Sequence, residues 1–380
     1  MPRKTDKSRS RKLVKKTTSS VRKIVAFMLM ILSVLSSLAL VVASYQQYFS
    51  PADFPLPALL GLVFPVFALS TILLFIALLI IYPKYSILSF VALLLSIPAM
   101  WRYCPINRGN DRMVTNKPGF SMLTYNVYHF YEVEKELYPD IYYNRTMQNI
   151  INIDADIVAL QETSSKFPLR NSHYNFTAEQ IEQLERLYPY RLYNNRLQIF
   201  SKYPVRAVSD TTFTQTAMMS LFEVDMDGRK INIINNHLQS IGFTHDDKEL
   251  YVELTSKPDS IESRLGGIKM LGRKLLTAFQ KRASQAEAVD SIAHSLGGNT
   301  IICGDINDTP NSYAYNVLTR DRRDAFLELG SGPGYTYLAN RMWVRIDYMI
   351  YKGDMQARYV KVYDKRSSDH YPVYVEFEWK

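Results

Sequence analysis

The chain has 380 residues, more than one domain requires, with a formal charge of +9 and only two cysteines. The charge is unevenly placed: residues 1–104 hold 12 Lys and Arg against 2 Asp and Glu, leaving 33 against 34 in residues 105–380. A near-neutral C-terminal portion excludes bulk electrostatic capture of a polyanion as the basis of function, and Cys104 with Cys303 makes neither a disulfide framework nor a cysteine zinc site.

Residues 1–23 form a basic tail with ten Lys and Arg. Residues 24–44 follow without a charge, and a helix of ~20 apolar residues spans a bilayer core. The uncharged stretch 54–82 holds a second crossing and 85–101 a third, with only Pro83 and Lys84 between them. Residues 24–104 therefore read as a membrane region of about three transmembrane helices. The first is too long for the apolar core of a secretory signal, and no small-residue cleavage site follows it. Loop 45–53 has no Lys or Arg, so the basic tail is expected in the cytoplasm and the portion after three crossings outside it.

Residues 105–118 are polar, rich in turn formers, and read as a linker. Beyond them strands and helices alternate over a domain of 119–380. Strands are expected at 119–127, 157–160, 192–193, 197–200, 217–224, 230–236, 300–303, 344–350, 359–362 and 371–377. Helical spacing marks 142–153, 178–187 and 275–296, the last ended by Gly297 and Gly298. Asp227-Gly228 is a hairpin signal, and 241–272 reads as a long charged insertion. The expected architecture is α/β, two packed and mostly antiparallel sheets with helices outside.

Six polar signals stand at the ends of these strands. Asn126 ends the first and Glu162 the second. His237 ends a third. Asp305 and Asn307 follow a fourth, Asp347 lies within a fifth, and Asp369 and His370 open the last. A polar group set against so apolar a strand is costly to bury unless it is paired or ligated. One such residue reads as a cap; six at one sheet edge read as a site. An Asp beside a His suits phosphate-ester chemistry, the carboxylate holding a metal and the imidazole handling a proton or a phosphate oxygen. His129, His173, His245 and His294 match no motif.

The segments TYNVY, LQET, NNHLQS, GDIND, RIDYM and SDHYPV, with Ile199–Pro204 and Gly334–Tyr337, resemble the endonuclease/exonuclease/phosphatase superfamily in order and in strand context. That superfamily includes metal-dependent DNases, abasic-site endonucleases, inositol-polyphosphate 5-phosphatases and neutral sphingomyelinases. The resemblance implies a four-layer α/β/β/α sandwich and a Mg²⁺ (or Mn²⁺) cofactor. It implies Glu162 as principal metal ligand, with Asn126 and Asp369 completing the site. It further implies Asp305 and Asn307 on the attacking water, Asp347 with His370 as a carboxylate–imidazole pair, and His237 on a phosphate oxygen or the leaving group, with Asn126 and Asn307 also touching substrate. Tyr128 departs from the acidic residue or Trp that some nucleases carry there.

The expected protein is thus a membrane-anchored phosphoesterase whose partners are the bilayer and a phosphate ester, either nucleic acid or a phospholipid or other small phosphorylated compound. The alternative is a non-catalytic binding or scaffold protein on a decayed hydrolase fold. The expected location is a bacterial inner membrane with the domain extracytoplasmic; sequons at Asn144, Asn175 and Asn307 would then face an exported compartment, and a bacterial origin avoids glycosylation at Asn307.

Overall fold

The computed structural model describes residues 4–108, 118–132, 141–163, 176–242, 261–339 and 342–380, with side chains from residue 23 and, in the helix starting at Ile261, from residue 266. Most of the expected linker, Asp246, Asp247, Lys248, Glu249 and Glu253 of the charged insertion, and His173, Asn175 and His245 lie outside the described residues. Two compact units form, one of residues 1–46 and 59–100, the other of 47–58 and 101–380.

The first unit is built of apolar helices, which satisfy their backbone hydrogen bonds within each segment. Three segments are long and apolar enough to cross a membrane: Lys23–Tyr48, Phe64–Ile81 and Pro83–Tyr103. The first belongs to a helix that runs back through the basic tail to Lys4. The second is shorter than the uncharged stretch that foretold it, since Pro55–Leu62 forms a separate helix and a new one starts after Val63 with Pro65 in its first turn. Hydroxyls join these helices: Ser36 meets Ser70 at 2.7 Å and Thr71 at 2.8 Å, and Ser33 meets Ser89.

In the second unit the strands are β1 (Gly119–Asn126), β2 (Ile157–Gln161), β3 (Tyr190–Asn194), β4 (Leu197–Ser201), β5 (Val205–Thr212), β6 (Met218–Met226), β7 (Arg229–His237), β8 (Asn299–Asp305), β9 (Arg323–Asp324), β10 (Tyr337–Ala339), β11 (Met342–Val344), β12 (Asp347–Lys352), β13 (Met355–Val362) and β14 (Val373–Trp379). They make one six-stranded sheet in the order β13-β14-β1-β2-β4-β3 and another in the order β5-β6-β7-β8-β12-β9, with β10 and β11 pairing apart. Pairing is antiparallel except at β1–β2 and β7–β8, which run parallel.

Period-two alternation builds the four layers. Met122, Ile157, Ala159, Ile233, Ile301 and Cys303 enter the core between the sheets. Their neighbours Leu123, Val158 and Leu160 turn outward onto helices Arg145–Ile153 and Ala178–Leu187. Ile234 and Ile302 turn outward onto Ala286 and Val289 of helix Ile261–Leu296 and onto Leu318. Strands buried on both faces read as continuous apolar runs, and burying each such side chain contributes roughly 1.5–3 kcal/mol.

Three expectations shift. The helix expected at 275–296 starts 14 residues earlier at Ile261, so the last part of the 241–272 insertion is helical. The strand expected at 344–350 begins at Asp347, which places that residue at a strand end rather than within. The last strand begins at Val373, so Asp369 and His370 precede it. The first strand shift follows from side-chain chemistry, since Thr336 Oγ accepts from the backbone N–H of Ile346 and Asp347, taking donors that a ladder would use. At the second, the Tyr371 N–H donates to the Thr336 carbonyl and Pro372 has no N–H to give.

Candidate active site

Register sets the site before any side chain is considered. Across parallel β1 and β2, Asn126 lies opposite Gln161, with Glu162 the next residue. Across β7 and β8, His237 lies opposite Asp305, and antiparallel β12 places Asp347 opposite that same Asp305. Gly304 lets this row close up: its φ is +111°, and a Cβ there would meet the Asn236 carbonyl oxygen at 2.2 Å. Glu162 and Asn307 hold φ of 52° and 55°, left-handed conformations that cost free energy and that concentrate at functional sites.

The side chains then converge across the two sheets. Asn126 Nδ2 donates to Glu162 Oε1 and to Asp305 Oδ2, each at 3.1 Å. His237 Nδ1 donates to the Thr216 carbonyl at 2.6 Å, which aims Nε2 at Glu162 Oε1, 3.1 Å away, and at Asp305 Oδ2, 3.7 Å away. His370 Nδ1 donates to Asp347 Oδ2 at 2.8 Å, and its Nε2 stands 3.6 Å from Asp305 Oδ2. Asp305 is thus central, with the Asn307 N–H also on its Oδ1 at 2.8 Å. Glu162, His237 and Asp305 could together hold a metal ion, and so could Asp305, Asp347 and His370.

Electrostatics follow from burial and these partners. Burial and the neighbouring Asp347 push the Asp305 carboxyl up to about 6, although His370 and His237 oppose them. Burial also works against the Glu162 carboxylate, but the His237 hydrogen bond and charge, with Asn126, win and hold it at about 2. The His370 imidazole, penalised by burial, is carried well above its ordinary value by Asp347 and Asp305. His237 is raised by Glu162 and Asp305 against the same penalty.

Seven of the eight residues singled out in the sequence meet here directly or through one partner. Asn307 does so with its backbone; its side-chain amide donates to the Leu238 carbonyl at 3.0 Å and ties the β8 end to the β7 end. Asp369 belongs to neither three-residue group. Its Oδ1 accepts from Ser368 Oγ at 3.4 Å, and its charge reaches Tyr128, His129 and His370. Asn126 turns its nitrogen to the carboxylates, and its Oδ1 accepts from the Tyr128 N–H at 3.1 Å.

Sequence reasoning missed the supports. Ser368 Oγ donates to the Asn126 carbonyl at 2.8 Å and so fastens the SDH segment to β1. Tyr337 packs edge-on against His370, centroids 5.0 Å apart. His129 stands 3.7 Å from Glu162 Oε2. Ser368, Thr336 and Tyr337 lay inside segments already singled out, so their place was available; His129 carried no signal. Beyond His237, residues 239–242 and helix Ile261–Leu296 bound an open cleft of about 300 Å³, lined by Arg273, Lys274 and Lys281. Arg282 of that helix donates to Asp308 Oδ2 at 3.1 Å and to the Gln239 carbonyl at 2.8 Å, bracing both site loops.

Residues 123–370 match a model described as the Endonuclease/Exonuclease/phosphatase family, and residues 22–103 match a domain of unknown function, DUF8431. Among solved structures, a humanized D. rerio TDP2 is 17% identical, with a TM-score of 0.45 over 68% of this chain and 99% of its own. An endonuclease/exonuclease/phosphatase from Bacteroides vulgatus is 14% identical, with a TM-score of 0.42 over 70% of this chain and 100% of its own. ANGEL2, a 2',3'-cyclic phosphatase solved with adenosine-2',3'-vanadate, is 15% identical, with a TM-score of 0.42 over 70% of this chain and 97% of its own. No curated protein matches the chain.

Proposed function

The chain belongs to the endonuclease/exonuclease/phosphatase family, a family of hydrolases acting on phosphate esters, and from that premise we propose that it is a membrane-anchored phosphoesterase dependent on Mg²⁺ or Mn²⁺. The observation that carries the reading is the sharing of Asn126 and His237 by two carboxylates, Glu162 and Asp305, at one buried sheet end. The donor set fits a hard cation: converging carboxylate oxygens need counter-charge when buried, and oxygen ligands suit Mg²⁺ and Mn²⁺.

Glu162 would hold the ion, with Asp305 within reach and Asp369 the further carboxylate at this edge. When bound, the ion lowers the pKa of water and offsets charge building on the phosphate. Asp305, raised toward neutrality, is suited to accept a proton from the attacking water while Asn126 and the Asn307 N–H hold its carboxylate in place. His237, whose pKa Glu162 and Asp305 raise against the penalty of burial, is aimed to bind a non-bridging phosphate oxygen or protonate the leaving group. Asp347 fixes the His370 tautomer so that Nε2 faces the same centre.

Anchoring and sidedness rest on separate observations. Residues 47–58, which begin at the last two residues of the first span, belong to the same compact unit as residues 101–380, and Asn316 Nδ2 donates to the Gln47 carbonyl at 3.2 Å. Two segments that share a unit share a side of the membrane, which requires an even number of crossings between them. With ten basic residues before the first span, the catalytic unit faces away from the cytoplasm, as across a bacterial inner membrane. The test of function is hydrolysis of bis(p-nitrophenyl) phosphate by the full chain with Mg²⁺, Mn²⁺ or EDTA. Metal-restored turnover supports the reading. Failure on this ester and on DNA, sphingomyelin, phosphoinositides and phosphomonoesters alike would favour the scaffold alternative.

A further inference from the structure

Immediately after Asn126 the backbone does something expensive. Tyr128, His129 and Phe130 hold φ of 45°, 54° and 58° in succession, none of them glycine. Left-handed residues of this kind cost of order 1–2 kcal/mol each, so something must over-determine them. Four hydrogen bonds do: Tyr128 N–H to Asn126 Oδ1, His129 N–H to the Glu162 carbonyl at 2.8 Å, Phe130 N–H to the Val127 carbonyl at 2.7 Å, and Tyr131 N–H to the Tyr128 carbonyl at 2.9 Å. The Phe130 ring is buried against Phe176, centroids 5.2 Å apart. With Phe130 inside, the other three rings stay together and reach solvent. Tyr128, His129 and Tyr131 touch pairwise at centroid distances of 6.3 to 6.4 Å. Tyr131 is 55% exposed and Tyr128 36%.

The cluster borders the reacting centre, since His129 Nε2 lies 3.7 Å from Glu162 Oε2. The two residues that fasten its backbone, Asn126 and Glu162, are themselves in the site. Phe130 packs into the fold, while the other three rings stand at the edge of the site. Rigid aromatic side chains at a wet edge bind planar groups at low entropic cost.

Resting on the phosphoesterase reading, we propose that Tyr128, His129 and Tyr131 form a stacking platform for a planar aromatic group carried by the substrate phosphate, a nucleobase or aryl group, and that it selects such esters over purely alkyl ones. A stack of base on aromatic ring is worth about 1–3 kcal/mol, about five- to 150-fold in affinity.

The test uses the full chain in detergent with Mg²⁺ and measures binding by calorimetry for two ligands that differ by a base, AMP and ribose 5-phosphate. AMP should bind about tenfold tighter or more. Tyr131→Ala should bring AMP to the affinity of ribose 5-phosphate, while Tyr131→Phe keeps the preference, and ribose 5-phosphate should bind all three proteins alike. Comparing p-nitrophenyl phosphate with methyl phosphate separates a general aryl preference from one for bases. Equal binding of AMP and ribose 5-phosphate by the parent protein, or a preference that survives Tyr131→Ala, overturns the platform while leaving the phosphate site intact. Tighter binding of glycerophosphocholine than AMP overturns it in favour of a lipid substrate. No binding of any of these ligands removes the phosphoesterase reading and the platform with it.

Discussion

His370 and Asp347 form a carboxylate–imidazole pair out of solvent, Nδ1 to Oδ2 at 2.8 Å, and the other ring nitrogen faces Asp305 at 3.6 Å. One partner has no purpose at this edge without the other: the Asp fixes the tautomer and the imidazole meets the centre. We expect His370→Ala and Asp347→Ala each to lower kcat by about a hundredfold or more, the scale of positioned proton transfer. The double variant should lose little beyond the worse single one, because groups acting as a unit are non-additive. Fully multiplicative losses in steady-state kinetics would separate the two.

Glu162 is the carboxylate on which Asn126 and His237 both converge. Glu162→Gln keeps its shape and removes its charge, and affinity for a hard cation follows ligand charge. Metal-dependent turnover should fall by at least about tenfold to a hundredfold at low Mg²⁺, while circular dichroism stays unchanged. Parent-like turnover at limiting Mg²⁺ would take Glu162 out of the metal site.

Asp305 and Glu162 titrate in opposite directions, and stability should show it in metal-free protein. The Asp305 pKa is raised, from 3.8 to about 6; its contribution is fully present below the unfolded value and is lost as pH rises through about 6. Glu162 is depressed to about 2 from 4.5, so its contribution is present above the unfolded value and is lost as pH falls toward 2. An ionised Asp305 therefore burdens the fold at neutral pH. Asp305→Asn should abolish turnover yet stabilise the metal-free chain by about 1–3 kcal/mol above pH 6, raising its Tm there and not at pH 4. A lower Tm at pH 8 would refute this.

Much of this site was legible because strand-end chemistry is local. Each of Asn126, Glu162, His237 and Asp305 closes an apolar run, and the parallel registers of β1–β2 and β7–β8 bring those ends side by side. What stayed hidden depends on non-local backbone. The place of His129 follows from three left-handed residues and a hydrogen bond to the far side of a parallel pair. The early start of the helix at Ile261 was hidden by Gly266, Gly267 and Gly272, which weaken helical signal without preventing the helix. Asn144 was read only as a sequon, and its amide is structural.

That amide makes a concrete prediction. Asn144 is 1% exposed; its Oδ1 caps helix Arg145–Ile153 through the Met147 N–H at 2.9 Å, and its Nδ2 donates to the Phe130 carbonyl at 3.1 Å. A glycan there is incompatible with the folded chain. Asn144→Ala should cost about 1–2 kcal/mol for the cap and more for the buried carbonyl it strands, and loosen the turn that presents the aromatic platform. Peptide mass spectrometry after expression in a glycosylating host should find Asn144 unmodified in folded protein, and a melt should show the variant's lowered Tm. An occupied Asn144 in active protein would contradict the cap.

Sidedness turns on whether Pro83–Tyr103 crosses. The segment has 21 residues but a mean hydropathy of only 1.5, against 2.7 and 2.8 for the other two spans, and its helix carries Pro98 in its interior. Composition alone leaves it the weakest crossing. Within the second unit, Asn316 Nδ2 donates to the Gln47 carbonyl and Arg102 Nε donates to Asn311 Oδ1 at 3.1 Å. Residues 47 and 102 thus attach to one short stretch of the catalytic unit, and a chain whose third segment did not cross would leave them on opposite faces. Alkaline phosphatase fused after Lys380 should be active in bacterial cells, and a fluorescent protein that folds only in the cytoplasm should be dark at the same position. A fusion after Lys84 should reverse both signals, since that residue follows the second span and stands at the very start of the third. A bright reporter after Lys380 would mean that Pro83–Tyr103 does not cross, that the Asn316–Gln47 contact does not form in the membrane, and that the site meets cytoplasmic phosphate esters.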